Sequence, residues 1–141
     1  MPKFMVIVPG DEHSEAGELP PHEILDAMTA YNEELAKAGM ILDLNGLRPT
    51  SDGAKVRFKD GKATVIDGPF TEAKEIVAGY WLLQARSKEE VLEWVKRAPF
   101  KDFAAQGGHV DIEVRPVHEL DDFGEGPAVD RARALESKLG K

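Results

Sequence analysis

Ala54-Lys55-Val56-Arg57-Phe58-Lys59-Asp60-Gly61-Lys62-Ala63-Thr64-Val65-Ile66-Asp67 consists of two short alternating segments around a two-residue turn. Asp-Gly suits the two positive φ angles of a tight hairpin turn, so pairing is counted outward from Asp60-Gly61. That count opposes Phe58 to Ala63, Val56 to Val65 and Ala54 to Asp67. Side chains alternate along a strand, so these six share one face. Lys55, Arg57, Lys59, Lys62 and Thr64 take the other, with Ile66 as the exception. The register sets a carboxylate, Asp67, at the end of an apolar row, and a buried carboxylate needs hydrogen bonds or an opposite charge. Asp67 is therefore expected to be held by backbone N–H groups of the turn that follows it, or by Arg48, Lys74 or a histidine.

On either side of the hairpin the chain reads as strands and helices in alternation. Lys3 to Val8 is apolar on both faces, as a central strand covered on two sides would be. Gly10 to Pro20 reads as a polar loop. Ile24, Met28, Tyr31, Leu35 and Ala38 form one stripe down a helix from about Pro21, where a missing N–H costs nothing, to Ala38, with Gly39 ending it. Met40 to Gly46 is a second strand and Leu47 to Gly53 a turn-rich loop. Ile76 to Ala85 is a strand with Ile76, Ala78, Tyr80 and Leu82 on one face and Val77, Trp81 and Leu83 on the other. Ser87 and Glu90 have capping-box spacing for a helix running to about Arg97, and Pro99 ends it. A last strand carries Val110, Ile112 and Val114 toward the core.

Removing the hairpin leaves βαβ followed by βαβ, so the predicted fold class is α+β: a ferredoxin-like βαββαβ sandwich with an inserted hairpin. Two helices cover one face of such a sheet, yet at least two strands are apolar on both. A second copy is the simplest cover, since most oligomers are symmetric dimers, and a homodimer with sheets face to face is expected. Residues 1–120 read as the domain, and 121–141 as an acidic C-terminal extension with a short helix on Val129, Ala132, Leu135 and Leu139.

At 141 residues this is one domain's worth of chain. There is no cysteine, hence no disulfide framework, thiolate metal site or thiol nucleophile, which suits a reducing cytoplasm. Twenty-six acidic against 18 basic residues give a formal net charge of −8, which disfavours attraction to nucleic-acid phosphates. The longest apolar run, Ile76 to Leu83, is far short of the roughly 20 residues needed to span a bilayer. The expectation is a cytoplasmic protein with neither nucleic acid nor membrane as partner. The four histidines lack metal-ligand spacing, and neither a phosphate-cradling glycine loop nor a nucleophile elbow is present, so neither cofactor nor metal is expected.

Asp67-Gly68-Pro69-Phe70-Thr71-Glu72-Ala73-Lys74-Glu75 resembles the YCII-related family, specifically its DGPF-domain branch. The likeness extends through Tyr31-Asn32-Glu33-Glu34-Leu35, Gly46-Leu47-Arg48-Pro49, Gly53-Ala54-Lys55-Val56-Arg57-Phe58, Gly79-Tyr80-Trp81, Glu93-Trp94-Val95-Lys96-Arg97, Ile112-Glu113-Val114-Arg115-Pro116 and Asp122-Phe123-Gly124, covering about residues 3–124. The resemblance implies a dimeric α/β barrel of ferredoxin-like units. It also implies a His–Asp pair in a pocket and, for some DGPF proteins, association with extracytoplasmic-function (ECF) sigma factors. His22 stands where YCII proteins carry the histidine at the start of the first helix, and Ala98-Pro99-Phe100 stands where some carry Asp-Pro-aromatic.

The candidate chemistry follows from these residues. A carboxylate oriented on imidazole raises its basicity and fixes its tautomer, so His22 and Asp67 are the candidate proton-transfer pair. Arg48, Gly68, Pro69, Phe70 and Lys74 are the candidate ligand contacts, for a small anionic or aromatic ligand. The alternative function is a protein-interaction module, such as an accessory of an ECF sigma factor.

Overall fold

The computed structural model describes residues 1–70, 76–101 and 108–141. In chain order its elements are β1 (Lys3–Pro9), the one-turn helix α1 (Glu12–Glu15), α2 (His22–Lys37), β2 (Ile41–Gly46), the hairpin strands β3 (Ala54–Lys59) and β4 (Lys62–Asp67), β5 (Val77–Gln84), α3 (Lys88–Val95), β6 (Glu113–Pro116) and α4 (Pro127–Lys138). Thr50–Asp52 and Leu120–Phe123 form 3-10 turns.

The main sheet has the order β2-β5-β1-β6, antiparallel at every contact. Each βαβ unit leaves a gap that a strand of the other fills, the split connectivity read from the element order. One face is the core. Phe4 and Val6 of β1 with Trp81 and Leu83 of β5 pack beneath Leu35 of α2 and Val91 of α3; Met40 and Ala85 complete the cluster. The other face carries Met5, Ile7, Ala78, Tyr80 and Leu82, all half-buried.

The caps behave as their chemistry requires. Ser87 accepts from Glu90 N at 3.2 Å, satisfying one orphan donor of α3, while the Glu90 carboxylate reaches Arg86 N at 3.2 Å. Gly39, at φ +72°, ends α2 in the left-handed conformation, and Met40 N bonds back to Leu35 O at 3.1 Å. Gly10 to Pro20 is not all loop: Asp11 accepts from Ser14 N at 2.9 Å and Ser14 Oγ accepts from Asp11 N at 2.8 Å, which closes the single turn of α1.

The hairpin has the expected register, Ala54 to Asp67, Val56 to Val65 and Phe58 to Ala63, with Asp60 and Gly61 at φ 53° and 76°. Its setting is different. It forms a two-stranded sheet of its own, and its apolar row is exposed. Asp67 is exposed with it, so the expected buried carboxylate is corrected. Sharing a face with apolar residues buries a group only if something covers that face, and no described element covers this one. No helix among the described residues is long and apolar enough to cross a membrane.

Candidate functional site

The turn after β4 is held from outside rather than by Asp67. Phe70 N donates to Thr50 Oγ1 at 3.0 Å, and Thr50 in turn donates to the Glu15 carboxylate, from N at 3.0 Å and from Oγ1 at 2.5 Å. Gly68 N donates to Gly53 O at 3.0 Å, and the Gly68-Pro69 peptide is cis. A Cβ on Gly68 would lie 1.7 Å from Thr50 O, so only glycine lets the two backbones meet. The half-buried Phe70 has Lys55 Nζ at 4.4 Å from its ring centroid, a cation–π contact. Three loops, around residues 15, 50 and 70, are thereby tied into one node at the hairpin base.

The other predicted site residues are dispersed. His22 is exposed in the first turn of α2. Arg48, with its side chain 84% exposed, pairs with Asp52 at 3.1 Å rather than with Asp67. Among the described residues the Asp67 side chain has neither a hydrogen bond nor an ion pair, and none joins it to His22. Lys74 lies outside the described residues.

A cleft of about 220 Å³ opens instead between α2 and the β2–β5 end of the sheet. It is lined by Val8, Met28, Asn32, Leu44, Asn45, Gly46, Ala78, Gly79, Tyr80, Trp81 and Phe100, and none of His22, Arg48, Asp67, Gly68, Pro69 or Phe70 is among them. Its walls are apolar and aromatic: the Trp81 ring meets Tyr31 edge-on at 5.8 Å and Phe100 at 6.4 Å. Its key polar contact has a determinate sense. An indole N–H can only donate, so the 2.7 Å contact from Trp81 Nε1 makes the Asn32 oxygen the acceptor. The Asn32 amide N–H₂ is then the group left to donate to a guest. On the opposite face of the same sheet edge, Tyr80 OH donates to Asp43 Oδ2 at 2.8 Å and accepts from Asn45 Nδ2 at 3.0 Å. Among the described residues no charged side chain lines the cleft.

Asn32 was readable in part. It stands four residues after Met28 on the α2 stripe, and a polar residue on an apolar stripe asks for a buried partner. What could not be read was that the partner is Trp81, 49 positions away.

The family model of the YCII-related domain matches residues 3–119. This chain belongs to the YCII-related family. A curated relative is an uncharacterised protein of Rhizobium meliloti (strain 1021), 30% identical over 73 residues, 52% of this chain and 59% of that protein's length. Among solved structures the YCII-related chain is similar to 5-chloro-2-hydroxyhydroquinone dehydrochlorinase from Burkholderia phenoliruptrix, in complex with 2,5-dihydroxybenzoquinone. That similarity has a TM-score of 0.44 and 16% identity, covering 84% of this chain and 95% of the other.

Proposed function

We propose that this protein is a cytoplasmic homodimer of the DGPF branch, built as a dimeric α/β barrel, and that it binds a single-ring, uncharged small molecule in the cleft between α2 and the sheet. The observation that carries this reading is the Asn32 amide, oriented by Trp81 so that its N–H₂ group is the donor for a guest, in a cleft with aromatic walls and, among the described residues, no charged lining residue. A cavity of about 150 Å³ already takes benzene, so about 220 Å³ suits one substituted ring bearing a carbonyl or hydroxyl acceptor. Of the two ligand classes expected from the sequence, the aromatic one fits, and the anionic one meets no cation among the described residues of the cleft. A proton-transfer reaction would further require His22 and Asp67 to act on the bound guest; turnover unchanged in His22→Ala and Asp67→Ala excludes that role.

Thermal-shift screening with single-ring ketones, quinones and phenols tests the binding claim. A Cβ on Gly46 has only Ala78 O within 4 Å, at 4.0 Å, so Gly46→Leu is accommodated by the backbone and fills the cleft. The expected result is a saturable rise in Tm for the native chain, abolished in Gly46→Leu and requiring about tenfold more ligand in Asn32→Leu, the loss of one hydrogen bond. A rise that persists in Gly46→Leu, or no rise with any of these compounds, defeats the proposal.

A further inference from the structure

We infer that the C-terminal extension completes a second binding cleft, and that this cleft takes a small zwitterion with an apolar body, the class of the free apolar amino acids. The inference goes beyond the proposed function, and the second cleft shares no lining residue with the first. It encloses about 360 Å³. Ligand clefts start at roughly 300 Å³.

One wall is the main sheet, with Lys3 of β1 and Leu82 of β5; Val117 is held against it by an N–H bond to Lys3 O at 2.9 Å. The other wall is the 3-10 turn Leu120–Phe123 together with α4. Asp121 of the turn pairs with Arg133 of α4, which ties the helix to the turn beside the cleft. The family match covers residues 3–119, so Leu120, Asp121 and all of α4 lie beyond it. The second wall is thus an addition to the matched domain.

The lining selects the ligand. Leu82, Val117 and Leu120 supply an apolar surface, and around it stand the cations Lys3, Arg133 and Lys141 and the carboxylates Glu119, Asp121 and Glu136. Arg133 and Asp121 engage each other, and His118 engages Asp122 at 2.9 Å. Lys3, Lys141, Glu119 and Glu136 have no ion pair among the described residues, and Lys3 is half-buried. An ammonium drawn out of water is held better beside a carboxylate than alone. A simple anion would meet the lysines but be opposed by the glutamates, and a simple cation would meet the reverse; like charges brought together cost affinity. A molecule carrying one carboxylate and one ammonium answers both. Its carboxylate goes to Lys3 on the sheet wall, its ammonium to Glu136 on the α4 wall, and its apolar side chain to Leu82, Val117 and Leu120.

Isothermal titration calorimetry of the full chain tests the assignment with L-leucine and its two single-charge analogues, isocaproate, which lacks the ammonium, and isoamylamine, which lacks the carboxylate. None of the three has a ring, so the titration is separate from the test of the first cleft. Leucine is expected to bind with a Kd below about 1 mM, and each analogue at least about tenfold more weakly. Lys3→Met and Glu136→Gln keep side-chain length and remove one charge each; both are expected to weaken leucine about tenfold, with circular dichroism confirming a native fold. In the ¹⁵N-labelled chain the amide signals that move with leucine are expected to be those of Val117 to Asp121 and of α4. Absence of saturable heat with leucine, either analogue binding as tightly as leucine, or signals moving only around the first cleft overturns the inference and leaves the aromatic cleft standing. The analogue comparison uses the native chain alone and decides the matter should a variant fail to fold.

Discussion

β1 and β5 on one side and β3 and β4 on the other use the same materials to different ends. Both pairs are antiparallel, in continuous register over most of their length, and alternate β-branched or aromatic residues. Yet Val6 is 0% exposed and Trp81 6%, while Val56 is 55% and Phe58 81%. The difference lies in the connections. The chain from β1 to β2 and the chain from β5 to β6 each lay a helix over the same sheet face, because a crossover between parallel strands must pass across the sheet. At the hairpin, the described residues just before and after its strands, Thr50 and Phe70, are tied together at its base. Strand formation and register are local properties; burial belongs to whatever the rest of the chain or another chain lays on top.

The comparison can be broken most directly by cavity mutants, at dilutions where the chain is monomeric. Leu35→Ala, at a position with 0% exposure, is expected to lower unfolding free energy in urea by about 2–5 kcal/mol. Phe58→Ala is expected to cost less than about 0.5 kcal/mol in the same titration. Comparable losses would mean that the hairpin row is covered within one chain and the contrast is false.

A smaller effect sharpens the picture of the covered face. Trp81→Phe retains a ring but deletes the donor at 2.7 Å from Asn32 Oδ1, with an expected loss of about 1–2 kcal/mol. A neutral result would show that Asn32 is satisfied otherwise and is not oriented for a guest.

A loss below that of Trp81→Phe is expected in Tyr31→Phe, which removes a 2.6 Å bond donated to Trp94 O, worth about 1 kcal/mol near neutral pH. Burial pushes the Tyr31 phenol up to about 12, against a slight lowering by Arg97. The folded chain therefore keeps a proton that the unfolded chain releases above about 10. Stability from this group is intact below pH 10 and is lost as pH rises toward 12. Denaturant midpoints across that window should fall more steeply in the native chain than in Tyr31→Phe; equal slopes would place the phenol in water.

Where the reading from sequence succeeded and where it failed follows the same division. Asp60-Gly61 determines the hairpin register because turn conformation and alternation both act over a few residues. Ser87 and Gly39 mark their helix ends for the same reason. Asp67 ends an apolar row yet is exposed, because alternation sets which face a residue shares and not whether that face is covered. The α1 turn was missed because four residues carry no periodicity, although Asp11 and Ser14 hold its cap. Arg48 pairs with Asp52, which lies within its reach four residues on.

From its sequence alone, this chain specifies its strands, two principal helices, hairpin register and YCII-related likeness, since those depend on backbone angles and side-chain period within short windows. Tertiary structure alone decided that the apolar hairpin row is exposed, that Thr50 rather than Asp67 holds the turn, and that Asn32 meets Trp81 across the cleft. Those outcomes depend on which surfaces the long connections bring together. Contact between residues 49 positions apart is set by packing of the whole domain, and no short window contains it.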